Sequence, residues 1–173
     1  MTRGAISLVL CAAVTAAAGA GCEGGRNAPR FDRLGLPLDR PVTQQEVRRL
    51  PDASLRYPGS AVVRAVGSDE RKQAGEHEPD PAFAGTVAIA PASVDALLAW
   101  YDHQLTARGY RRATYYKLAG QSTGRAWTAP GNREQVQVGV YGAGAAPTGP
   151  VPAGHVGYEA ILVNYRVTGP PPP

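Results

Sequence analysis

Apolar residues recur at Val94, Leu97, Leu98, Tyr101 and Leu105, intervals of three and four that gather them into one stripe of an α-helix. The ends of that helix are written into the chain as well. Ser93 is placed to cap the first turn and Asp95 adds a negative charge there. Arg108 lies in the last turn, and Gly109 can take the left-handed conformation that stops a helix, with Tyr110 falling where it can touch Leu105. A helix over about 93–108 that is apolar on one side only requires a second layer to cover that side.

The covering layer has to come from strands, because on both sides of the helix the period changes to two. Strands are expected at 61–66 and 85–90 before it, and at 111–118, 125–128, 134–141 and 157–167 after it. Val136, Val138 and Val140 share one face, with Gln135, Gln137 and Tyr141 on the other; Ile161, Val163 and Val167 share a face of the last strand. Strands arranged around a single helix specify an α+β fold. We expect an antiparallel sheet of about five to six strands with the one main helix packed on its Val/Ile face. The 21 glycines and 16 prolines supply its turns, among them Tyr57-Pro58-Gly59 and Pro130-Gly131-Asn132.

This α+β domain is expected over 55–168. The preceding 22–54 reads as a tether interrupted by a short helix near 44–50. Thr43 and Glu46 have capping-box spacing there, Val42 and Val47 can close a hydrophobic staple, and Pro51 ends the run. Residues 169–173 read as a disordered Pro-rich tail.

The charge pattern narrows the partners. The formal charge is +4, and apart from Lys72 and Lys117 every basic residue is arginine. The arginines are scattered rather than gathered in a stripe, which speaks against nucleic acid and leaves anionic headgroups or acidic wall polymers compatible. Gly120-Gln121-Ser122-Thr123-Gly124 matches G-x-S-x-G, and Glu134 and His155 follow in hydrolase order. A strand and a turn follow the motif instead of the helix it needs, so a loop between strands is the better reading. Glu76, His77 and Asp80 could hold a divalent cation weakly, but they lack metal-site spacing, and no metal and no cofactor is expected. Asp102 and His103 read as exposed helix polarity. With no coherent set of acid, base and nucleophile, the chain is not expected to be an enzyme. Trp127 and Tyr141 are the aromatics singled out as facing a ligand, on a sheet face that could stack a sugar or a partner's side chains.

The first 22 residues bear on location. Arg3 precedes an apolar stretch over 5–14 that is too short to span a bilayer, the pattern of an export signal over 1–21. Of the two cysteines, Cys11 lies inside that leader and would leave with it, so Cys22 would have no partner for a disulfide. Gly19-Ala20-Gly21-Cys22 resembles the lipobox of bacterial lipoprotein precursors, with Gly19 where the family usually carries an aliphatic residue. The resemblance implies that Cys22 receives a diacylglyceryl group and becomes the new amino terminus. The protein would then be exported and anchored to the cell membrane, its domain outside the cytoplasm, binding an envelope protein or a glycan. The alternatives are a soluble secreted binding protein cut after Ala20 and, behind it, a small secreted hydrolase.

Overall fold

Helix α2 (Val94–Thr106) forms where the apolar stripe requires it. Ser93 Oγ accepts the Ala96 N–H at 3.2 Å. At the far end Gly109 adopts φ +84°. The N–H groups of Gly109 and Tyr110 donate to the carbonyls of Thr106 and Leu105 at 2.9 and 3.0 Å, closing the last turn. The computed structural model describes residues 30–32, 34–71, 79–131, 133–142, 147 and 149–165. The leader with Cys11, Cys22 and the 169–173 tail lie outside the described residues.

Around α2 stand six strands: β1 (Ala61–Ser68), β2 (Ala82–Ala90), β3 (Arg111–Ala113), β4 (Gln121–Thr128), β5 (Glu134–Tyr141) and β6 (Val156–Asn164). They form one antiparallel sheet in the order β1-β2-β6-β5-β4-β3, an α+β fold as expected. The last strand joins the two halves. β6 pairs with β5 on one side and with the whole of β2 on the other, from Ala82 opposite Asn164 to Ala90 opposite Val156. The strand expected at 111–118 ends at Ala113, and the next one starts earlier than its apolar residues suggested, at Gln121.

The register decides which residues meet the helix. Val138 lies opposite Ala160 and Val136 opposite Leu162, so Val156, Tyr158, Ala160 and Leu162 of β6 share the face of Val136, Val138 and Val140. These residues join Leu97, Leu98, Tyr101 and Leu105 in the buried core. The expectation for β5 therefore holds, whereas Ile161 and Val163 point to the opposite face of β6. Both sides of this central strand are apolar, and only its pairing settles which side faces α2.

The segment read as a tether is corrected in part. Leu36, Val42, Val47 and Leu50 are all buried in the same core. Helix α1 (Gln44–Arg48) has the foreseen capping box, with Thr43 Oγ1 accepting from the Glu46 N–H and the Glu46 carboxylate accepting from the Thr43 N–H at 2.9 Å. A 3-10 turn, Pro51–Ser54, follows it. α1 packs on β2 and β6, whose facing residues on β2 include Ala82, Ala84, Ala88 and Ala90. Small side chains on that strand leave a space that the N-terminal valines and leucines fill. Two carboxylates beyond β1 fasten the segment: Glu70 accepts from the Val42 N–H at 2.9 Å and Asp69 from the Gln44 N–H at 2.7 Å.

Candidate functional site

Trp127 faces the helix, not a ligand. Its side chain is fully buried on the inner face of β4, and its indole N–H donates to Asp102 Oδ1 at 2.7 Å. Asp102 also pairs with Arg112 and Arg125, and the Arg112 guanidinium sits 5.4 Å from the centre of the Trp127 ring. Trp127 is thus withdrawn as a ligand-facing residue. Asp102, read as exposed helix polarity, instead fastens α2 to β3 and β4.

Tyr141 does lie on the other face, and the polar groups of the sheet converge there. Glu159, near the middle of β6, accepts hydrogen bonds from the Tyr141 hydroxyl at 3.0 Å and from Gln121 Nε2 at 3.2 Å. The Gln121 Oε1 in turn accepts from the Tyr115 hydroxyl and from the Leu118 N–H. Tyr115 can reach this far because the chain leaves the sheet after β3 and its ring crosses Gly124 and Gly139. A Cβ at Gly124 would overlap the Tyr115 ring, and one at Gly139 would overlap the Gln121 amide and the Tyr115 hydroxyl. These glycines are therefore a packing requirement of the network.

Electrostatics keeps both phenols neutral. The Tyr115 and Tyr141 pKa values are each pushed up to about 12, first by burial and then by the charge of Glu159. In Tyr141 the direct hydrogen bond to that carboxylate adds to the effect. At neutral pH the cluster offers hydroxyl and amide donors around one carboxylate, and neither phenol is an activated nucleophile. Farther along the same face Gln137 donates to Gln135, whose Oε1 also accepts from the Tyr165 hydroxyl at 3.3 Å. Tyr116 and Leu118, in the chain between β3 and β4, are 73% and 52% exposed.

The remaining sequence candidates do not assemble. Ser122 lies on β4 and donates its hydroxyl to the Val140 carbonyl, with further strand rather than a helix after it. His155 is exposed and lines a cleft of about 730 Å³ at the start of α2, shared with Ser93 and Tyr141. Glu76 and His77 lie outside the described residues, and Asp80 pairs with Arg71 in an isolated bridge. Among the described residues no cluster of three His, Cys, Asp or Glu side chains could hold a metal ion, and no helix is long and apolar enough to cross a membrane.

Sequence reasoning reached Tyr141 but missed Tyr115, Gln121 and Glu159. The available signal was Glu159 itself, a lone charge with the spacing of Ile161 and Val163 in a strand otherwise apolar on both sides. Compared with known proteins, the chain matches no family model, no curated protein and no solved structure.

Proposed function

We propose that this protein is a cell-envelope lipoprotein, anchored by acyl chains on Cys22, whose domain acts by binding rather than by catalysis. The observation that carries the reading is Cys22 itself, set behind small residues at the end of a short apolar leader and left without another cysteine once that leader is removed. Two acyl chains would hold it stably, where one binds only marginally. Arg30 is already tied to the domain, its carbonyl accepting the Leu38 N–H at 2.8 Å, so even a fully extended chain from Cys22 would reach about 30 Å. The domain would therefore work close to the lipid surface.

For the ligand, the second sheet face supports a glycan. The Glu159 carboxylate, the Gln135 and Gln137 amides and the phenols of Tyr141 and Tyr165 alternate acceptors and donors in the manner sugar hydroxyls require. Exposed Tyr116 adds a ring on which a sugar can stack.

Mass spectrometry of the mature protein and fractionation of cells test the anchor. A diacylglyceryl-bearing Cys22 at the amino terminus, and release of Cys22→Ser into the soluble fraction, are the expected results. A mature chain that begins at Gly21 with an unmodified thiol would replace the anchor by the soluble secreted alternative. Co-sedimentation with insoluble wall polysaccharide tests the face. Tyr116→Ala and Gln137→Ala should each weaken retention, and retention that neither change affects would remove the glycan assignment.

A further inference from the structure

Between α1, the 3-10 turn and the β1–β2 hairpin runs a groove of about 140 Å³, lined by Arg48, Ala53, Ser54, Arg56, Ala65 and Thr86. Its floor departs from the pattern of its strand. On the inner face of β2 the residues at alternate positions are Ala82, Ala84, Thr86, Ala88 and Ala90, and Thr86 alone is polar and only half-buried. Opposite Thr86 on β1 stands Ala65, also small and exposed, so the hairpin leaves an open trough where larger side chains would close it.

Two guanidinium groups border that trough, and among the described residues no carboxylate lines it. Arg48 makes one long contact, from Nη2 to the Val66 carbonyl at 3.5 Å, and Arg56 uses its Nε on the Ser54 carbonyl at 3.3 Å. Each guanidinium carries five N–H donors, so among the described residues most of them remain available. The nearby acids are committed elsewhere: Glu46 to Arg40, and Asp52 to Arg108 and Tyr110. A small trough with a hydroxyl at its floor and two forked cations at its rim suits a tetrahedral oxyanion, because arginine can give paired hydrogen bonds to phosphate oxygens.

We infer that this groove binds a phosphate group, held by Arg48 and Arg56 with Thr86 beneath it. The inference does not depend on acylation of Cys22. The phosphate can come from an anionic lipid headgroup or from free phosphate, and the test separates the two sources.

The probe is the mature chain from residue 22 onward carrying Cys22→Ser, so that neither leader nor acyl anchor contributes, titrated with inorganic phosphate and with phosphatidylglycerol or phosphatidylcholine vesicles. Binding to phosphatidylglycerol vesicles alone assigns a headgroup; binding to inorganic phosphate assigns free phosphate as sufficient. In either case Arg48→Gln and Arg56→Gln should each weaken binding on the order of tenfold. Thr86→Val should weaken it less, and Arg49→Gln, a neighbour outside the groove, should leave it unchanged. Thr86→Val exchanges only the hydroxyl for a methyl and keeps the test open if an arginine variant fails to fold. Absence of binding to both probes overturns the inference. So does binding that the groove variants spare, or that Arg49→Gln weakens equally, because net charge alone would then account for it.

Discussion

Asp102 shows how much one side chain can hold together. It accepts from the buried Trp127 indole and pairs with Arg112 and Arg125, joining α2 to two strands. Replacing it with alanine strands an indole N–H inside the core, and we expect Asp102→Ala to lower stability by about 2–3 kcal/mol in urea denaturation. Asp102→Asn, which keeps an acceptor for the indole, should cost less. Equal losses for the two variants would show that the ion pairs, and not the indole bond, dominate. Tyr115 and Tyr141 make a second local prediction. Their folded pKa values, near 12, lie above the value of about 10 expected in an unfolded chain. The stability they contribute is fully present below about pH 10 and is lost as pH rises towards 12. Glu159→Gln should bring both phenols down, Tyr141 more than Tyr115, as read from phenolate absorbance during an alkaline titration.

Helix α2 is specified at both ends and along its buried side, and its four inward residues Leu97, Leu98, Tyr101 and Leu105 share one buried core with residues of β4, β5 and β6. Leu98→Asp places an unpaired charge in that contact and should abolish the cooperative thermal transition. An unchanged melting curve would mean that Leu98 does not face the sheet. The helix could be read from the chain because its cap, stripe and glycine stop are all local. β6 could be located equally well but not oriented. Tyr158 and Leu162 look inward while Ile161 and Val163 look outward, and either set would have served as a core face. The same limit hid Trp127, whose alternation shows that it differs in face from Ala126 and Thr128 but not which of the two layers it meets.

Seen together, the layers extend the domain back to Leu36, so its N-terminal part is not dispensable. A chain that starts at Leu55 lacks Leu36, Val42, Val47 and Leu50 from the core. It should fail to fold cooperatively, whereas one that starts at Arg30 should melt with the full chain. Folding of the shorter form would restore the tether reading. The same packing also creates the arginine groove, since α1 supplies Arg48 and the chain just after the 3-10 turn supplies Arg56 while the hairpin supplies Thr86.

The amino-acid sequence alone determined the elements whose causes lie within a few residues: α2 with both its ends, the Thr43–Glu46 capping box, strand 134–141 and the α+β class. Periodicity and caps depend on near neighbours, so they can be read before anything packs. The tertiary structure decided what depends on pairing between distant segments. It turned β6, buried Trp127 against Asp102, drew Leu36, Val42, Val47 and Leu50 into the core, and gathered Tyr115, Gln121, Tyr141 and Glu159 on one face. A strand's alternation defines two faces, and only its register against other strands assigns one of them to the helix.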